Sequence, residues 1–466
     1  MKRIAIIAAV ILLLASVVLA ACGKTGESSA PAHDISLTSE YGASSAGDSS
    51  APEADESSES SAEESSEQPE QSEPIAEVSH GESSADPEYE GEEINLLYAS
   101  YSEKPYYAIV GTCAQGATIT ARSASGTEYT SESFYGWFSV RVKCESTPDS
   151  VSLTQSAGGK QLGNTRVFSI KPVTPSSEMW PIITGKNMQF FLQKMLPDFR
   201  GTNLPSADTL SRLTTRVRNR VNDMRSYNPK ANIIYLIVPS AMTTCPELVP
   251  EEYAPATGKT RLDLVLDAIN ASGAYAVDLR PVFAAHKDDE RPLTYKTDSH
   301  WTDYAAYLAY KEIFDYISKD YPAAAPRPDT DFNWNPGYYE SGDMTYYLAM
   351  SQTEVREYEF YRTFNFTAPN AVTKVTRYRR PSSLVYSDAS TEANTIRTDR
   401  PELPSCYVLR DSFSAQIYDI LAERMDTTYY SGMWDHTWKQ SFVMDNQPDY
   451  VIYILSEWNI DAIING

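Results

Sequence analysis

Two short segments hold side chains that could do chemistry. In Thr297-Asp298-Ser299-His300-Trp301-Thr302 an aspartate and a histidine stand two apart. In extended chain such positions share a face, so the Asp298 carboxylate could hold the His300 imidazole in one tautomer and stabilise its protonated form. The second segment is Tyr407-Val408-Leu409-Arg410-Asp411-Ser412-Phe413-Ser414. It reads as a strand running straight into a helix over 417–425, which puts Ser412 at the turn. Free backbone amides and the positive end of a helix dipole belong there, and an acyl-transfer site needs such amides for its oxyanion. Serine alone is a weak nucleophile and requires a positioned base. A plainer reading is that Thr302 or Asp303 caps one helix and Asp411 or Ser412 another. Capping and chemistry are compatible.

The elements that would position these residues are legible from periodicity. Ile233-Ile234-Tyr235-Leu236-Ile237-Val238 is a continuous apolar run of buried-strand type, and 275–277, 407–409 and 450–455 are similar. Between them lie helical patterns. Leu210, Leu213, Val217, Val221 and Met224 share one helix face opened by Pro205-Ser206, and 261–269 and 304–317 are two more. Strands alternating with helices predict an α/β fold with a mostly parallel sheet over residues 176–466. That region has only three histidines, His286, His300 and His436. Ahead of it, 94–175 shows short alternating strands such as 118–122, 137–142 and 151–154, separated by Gly- and Ser-rich turns. This predicts a small immunoglobulin-like β-sandwich.

The N-terminus is of another kind. Lys2 and Arg3 precede an almost unbroken apolar run from Ile4 to Val18, which ends in Leu19-Ala20-Ala21-Cys22. Such a pattern predicts a secretory signal peptide over 1–21. A cysteine at the cut resembles the lipobox of bacterial lipoproteins, with lipid on Cys22. Two acyl chains would hold the chain on the outer face of a membrane. Residues 23–93 carry 20 acidic residues and one lysine, so most of the net −24 sits there. With Ser, Pro and Gly filling the rest, 22–93 predicts a disordered stalk behind the lipidated cysteine. Its root-mean-square span would be about 45 Å, extended further by charge repulsion. No basic patch predicts a nucleic-acid partner; Arg216, Arg218 and Arg220 are read as a solvated helix face. Of five cysteines, Cys113, Cys144, Cys245 and Cys406 remain beside Cys22, and Cys113–Cys144 is a plausible bridge. None has zinc-type spacing, so no metal or other cofactor is expected.

The two chemical segments together resemble the SGNH-hydrolase-like domain of alginate O-acetyltransferases (the AlgX/AlgJ group) and the related DHHW proteins. Weaker landmarks occur in the family's order: Gly185-Lys186-Asn187, Val238-Pro239-Ser240, Gly342-Asp343-Met344 and Pro448-Asp449-Tyr450 with Glu457. The resemblance spans 180–466. It implies an SGNH-like parallel sheet with helices on its faces, Ser412 as nucleophile, His300 as base and Asp298 as its orienter. The Ser412 amide, and more weakly Ser240, are the implied oxyanion donors. Arg410 stands where the family usually has glycine.

The function expected on these grounds is surface-tethered acetyl transfer on an extracytoplasmic glycan. The partners would be a cell-surface or secreted polysaccharide, the membrane through the lipid anchor, and a membrane-bound acyltransferase supplying acetyl groups. A carbohydrate acetylesterase would share the same acyl-enzyme. A glycan-binding lipoprotein of this fold without activity is the alternative of another class. Trp301, Trp434, Trp438 and Trp458 would suit sugar rings, although aromatics this frequent also build cores.

Overall fold

The computed structural model describes residues 93–103, 105–133, 135–143, 149–170, 182–340, 342–347, 355–366 and 393–466. The expected signal segment, the stalk up to residue 92, Cys22 and Cys144 lie outside the described residues, and with them the suggested Cys113–Cys144 bridge. Among the described residues no helix is long and apolar enough to cross a membrane.

The N-terminal part is all antiparallel. Strands β1 (Asn95–Glu103), β2 (Tyr106–Thr112), β3 (Thr118–Ser123), β4 (Glu128–Glu132), β5 (Trp137–Lys143), β6 (Asp149–Ala157) and β7 (Lys160–Ile170) form two sheets, ordered β1-β2-β5 and β4-β3-β6-β7. Period-two patterning explains the layers. In β3, Ile119 and Ala121 are buried while Thr118 and Thr120 are half-buried. Ile109 and Val140 of one sheet share a core with Ile119 and Leu153 of the other.

That core also takes in residues from beyond the two sheets. Phe190 and Phe191 of β9 (Phe190–Leu192), which pairs with β8 (Ile182–Thr184), join it, as do Met242, Val249 and Val355. From β5, Arg141 bonds Glu252 at 2.8 Å and the Tyr253 hydroxyl at 3.1 Å. The described residues form one compact unit.

The second layer system is a six-stranded sheet. Its strands are β10 (Asn232–Val238), β11 (Tyr275–Val277), β14 (Asn394–Arg397), β15 (Ser405–Arg410), β16 (Thr427–Tyr430) and β17 (Tyr450–Ser456), in the order β11-β10-β17-β15-β16-β14. All neighbours are parallel except β14 against β16. All four expected strands are in it. Every residue of β10 and β17 is buried, as a sheet covered on both faces requires. Ile234, Leu236 and Val238 pack with the helix Asp303–Ile317, whereas Ile233, Tyr235 and Ile237 pack with Ala207–Arg225. Outside this sheet, β12 (Phe332–Glu340) and β13 (Arg356–Phe364) form an antiparallel pair.

Helix boundaries reflect local chemistry. Ser206 and Thr302 cap their helices through their side-chain oxygens, and Thr260 forms a capping box with Asp263. The arginines read as a solvated face do more than that. Arg216 donates to the Ile463 and Ile464 carbonyls at 2.6 and 2.8 Å, and Arg218 to Ala271 at 3.0 Å. Both sit at the negative ends of neighbouring helices, while Arg220 lies over the Trp438 ring at 4.9 Å.

A buried bidentate pair ties the helix Arg261–Ser272 to the turn at 196–200: Arg261 Nε and Nη2 reach the Asp198 carboxylate at 2.6 and 2.9 Å. Removing one partner strands a charge in the interior. Asp198→Ala is expected to lower the unfolding free energy by about 3–5 kcal/mol in urea denaturation. A loss under about 1 kcal/mol would mean that water or Asp461 takes over the guanidinium.

Candidate active site

Ser412 comes directly after β15, and its environment starts with its neighbours. Arg410, the last residue of β15, is fully buried. Its Nε donates to the Ser431 carbonyl at 3.0 Å and its Nη1 to Ser414 Oγ at 3.3 Å, and the guanidinium lies 5.3 Å from the rings of Tyr418 and Tyr430. Asp411 is a hub. Its Oδ2 accepts from the Ser456 amide and hydroxyl and from Asn459 Nδ2 at 2.8–2.9 Å, and its Oδ1 accepts from the Phe413 amide at 2.9 Å. The chain therefore cannot enter a regular helix at once. Residues Ser412–Ser414 form a 3-10 turn, and the helix begins at Tyr418. This corrects the expectation that Ser412 sits at the helix's positive end; the Phe413 and Ser414 amides of the turn are already committed to Asp411. Among the described residues nothing accepts from the Ser412 N–H.

The segment Lys296–Trp301 belongs to no strand of the central sheet. It is held by two carboxylates that belong to neither strand nor helix of the central sheet. Glu357 of β13 accepts from the Lys296 and Thr297 amides at 2.5 and 2.6 Å and from the Thr297 hydroxyl. Asp343 accepts from the Ser299 amide and hydroxyl at 2.8 and 2.5 Å, and its own amide donates to Asp298 Oδ2 at 3.2 Å. Gly342 packs so closely that a Cβ would fall 2.3–2.4 Å from the Cβ, Cα and N of Asp298.

The result is a linear set of contacts. His300 Nδ1 lies 2.7 Å from Asp298 Oδ1, and His300 Nε2 lies 2.8 Å from Ser412 Oγ. All three residues are buried. The two segments are also tied directly, since the Trp301 indole donates to the Phe413 carbonyl at 2.8 Å and the Phe413 ring leans on His300 at 4.7 Å.

Burial and charge pull on these groups in opposite senses. Burial disfavours a charged imidazole, but Asp298, Asp343 and Asp411 outweigh it, and His300 stands above the ordinary 6.5. Burial, then the adjacent Asp298 charge, pushes Asp343 up to about 6. Burial pushes Glu357 up to about 7 against its own hydrogen bonds. Half-buried Lys194, whose Nζ lies 4.4 Å from the Trp458 ring, is pulled down to about 7 by desolvation, with Asp343 and Asp411 opposing.

Asp298, His300 and Asp343 each offer a ligand atom within 4.8 Å of the others, a convergence that cysteine spacing could not reveal. Those atoms are already engaged: Asp298 Oδ1 with His300 Nδ1, and both Asp343 oxygens with Ser299. A cation would have to displace these bonds, and the arrangement is suited to moving a proton.

Ser240 is not drawn in. Its amide donates to Glu457 Oε2 at 2.7 Å and its hydroxyl caps the helix Ala241–Thr244. That corrects its reading as an oxyanion donor, because the N–H is already committed to a carboxylate. Glu357 and Lys194 escaped the sequence reading. Glu357 and Glu359, two apart on β13 and both buried, left a faint trace as acids on one strand face.

Residues 198–377 match the family model described as the SGNH hydrolase-like domain of the acetyltransferase AlgX. That segment is thus similar to an SGNH hydrolase-like domain. Asp298 and His300 lie inside the matched segment and Ser412 beyond it. No curated protein matches the chain. Among solved structures, Bacillus cereus PatB1 is similar with TM-score 0.46 and 14% identity over 60% of this chain and 98% of that one. The O-acetyltransferase domain of Pseudomonas putida AlgJ gives 0.37 and 15% over 60% and 91%. A DHHW family protein from Eubacterium siraeum gives 0.38 and 13% over 69% and 97%. At such values these are likenesses of outline.

The Gly342–Asp298 contact is a tight steric constraint on the histidine loop. Gly342→Ala pushes a methyl into backbone atoms that cannot rotate away, and is expected to cost about 1–3 kcal/mol. Thermal unfolding measures it; an unchanged melting temperature would show that the loop has slack.

Proposed function

We propose that this chain transfers an acyl group, acetyl in the simplest case, to an extracytoplasmic glycan through Ser412, His300 and Asp298. The observation that carries the reading is the run of contacts from Asp298 through His300 to the Ser412 hydroxyl at 2.7 and 2.8 Å. The acetyltransferase description of the matched family supports acetyl as the group.

His300 Nε2 takes the Ser412 proton as Oγ bonds to the acyl carbonyl carbon. The carbonyl oxygen becomes an oxyanion, received by the Ser412 amide, and a single such donor is worth roughly 10²–10³ in rate. When the intermediate collapses, the bond to the donor's leaving oxygen or sulfur breaks and His300 returns the proton to it. A sugar hydroxyl then gives its proton to His300 and attacks the acyl-serine. Ser412 Oγ leaves and regains the proton. Asp298 stays ionised throughout and balances the imidazolium. Water in place of the sugar makes the same site an esterase.

The wider setting is part of the same proposal. Residues 1–21 direct export, Cys22 carries lipid, and 22–93 act as a tether. A membrane-bound acyltransferase would supply the acetyl groups. Incorporation of labelled fatty acid into the expressed chain tests the anchor. It should vanish in Cys22→Ser, and equal labelling of the two would refute it.

For the chemistry, hydrolysis of 4-nitrophenyl acetate by the full chain is expected to fall by about 10³-fold or more in Ser412→Ala and His300→Ala. Equal rates in wild type and Ser412→Ala would overturn the reading. His300 acts as a base only when neutral, and its acidic neighbours raise its pKa. Activity should therefore rise with pH along a limb centred above 6.5. Asp343→Asn removes one of the charges that raise it and should move that limb downward.

A further inference from the structure

Strands β16, β15 and β17 lie side by side and parallel, with β15 in the middle. The segments beyond their C-terminal ends must therefore lie side by side as well. After β15 comes Ser412. After β16 comes a loop in which the Trp434 amide donates to the Arg410 carbonyl at 3.0 Å and His436 stands 6.4 Å from the Trp434 ring, edge-on. After β17 comes Trp458, whose ring meets Phe413 edge-on at 5.0 Å. Aromatic residues thus follow the strands on both sides of β15.

These rings are unusual in one respect. Trp434 Nε1, His436 Nε2 and Trp458 Nε1 are buried with no hydrogen-bond partner, and they are the ring nitrogens so placed among the described residues. Other indoles are satisfied within the protein: Trp301 by Phe413, Trp334 by Asp329 and Trp438 by Gln440. A buried indole N–H without an acceptor is costly, and native interiors rarely keep one. Trp434 also holds a left-handed backbone, φ 70°, a conformation that a bulky side chain keeps only under constraint from its surroundings. The His436 ring faces the Arg410 carbonyl and burial pulls its pKa down, so it is neutral. With its proton on the side of that carbonyl, Nε2 is an acceptor.

We propose that Trp434, His436 and Trp458 form the binding site for the sugar ring that receives the acyl group. This rests on the acyl-transfer reading of Ser412. Two indole donors and one imidazole acceptor, all uncharged, match the hydroxyls of a pyranose, which both donate and accept. The Trp434 indole matches its apolar C–H surface, while the Trp458 ring already carries Lys194 Nζ at 4.4 Å. The placement also fits the chemistry, since the acceptor hydroxyl must reach the acyl-serine from a site beside the nucleophile.

The test is calorimetric binding of chitotetraose and of cellotetraose to the full chain carrying Ser412→Ala, which cannot turn over. Added to that background, Trp434→Phe and Trp458→Phe each keep an aromatic ring and remove one N–H. Each should weaken binding about 5-fold, the effect of one hydrogen bond. Trp438→Phe, whose N–H is used internally, should bind as the parent does. Acrylamide quenching of tryptophan fluorescence should fall on saccharide addition and serves as a second readout if a variant folds poorly. Absence of binding by either saccharide, or phenylalanine variants that bind as tightly as the parent, overturns the site. Tryptophan-dependent binding in a chain whose ester hydrolysis is independent of Ser412 would support the sugar site while removing the acyl-transfer reading.

Discussion

The carboxylate of Asp411 is the constraint on which the candidate site depends. It sits at the end of β15 and accepts from Ser456 and Asn459 at and beyond the end of β17, and from Phe413 in the turn that carries Ser412. A fully buried carboxylate is costly unless nearly all of its lone pairs are used. Satisfying it fixes the turn against the neighbouring strand, so the position of Ser412 arises from an electrostatic requirement. Fully buried Arg410 works in the same way from the strand's last residue, donating to Ser431 and Ser414. A glycine at that place would leave the turn without this brace.

The histidine segment is governed by the same physics at another pair of acids. Glu357 and Asp343 receive the amides and hydroxyls of Lys296, Thr297 and Ser299, while Asp298 faces His300. Burial raises the proton affinity of the carboxyls, with neighbouring negative charge adding to it, and that charge raises the imidazole against its own burial. Such mutual elevation is stable only because each acid has several donors. It also places the titrating range of the cluster close to neutrality, where a general base is most effective.

The two halves of the chain meet as a continuous interior. Strands β8 and β9 and residues Met242 and Val355 fill the space between the antiparallel sheets and the α/β layers. The Phe190 amide, at the edge of that shared core, donates to the Lys296 carbonyl at 2.8 Å. The N-terminal sheets thereby buttress the segment that presents His300, which gives them a mechanical part in the geometry of the site.

Much of this was legible from one dimension. Apolar runs and helix periodicity located the strands of the central sheet and its long helices, because burial on two faces or on one leaves a direct imprint on residue type. The pairing of Asp298 with His300 was legible because it is local, two residues apart. The approach of Ser412 to His300 came from motif resemblance, since spacing along the chain carries no information about a contact between segments 112 residues apart. The tertiary structure alone decided that Ser240 serves Glu457, that a 3-10 turn precedes the helix, and that Glu357 and Asp343 clamp the histidine loop. It alone singled out the indoles beside Ser412 as lacking partners. Each of these depends on which polar groups are left unsatisfied once distant elements pack, and that is settled by burial in three dimensions.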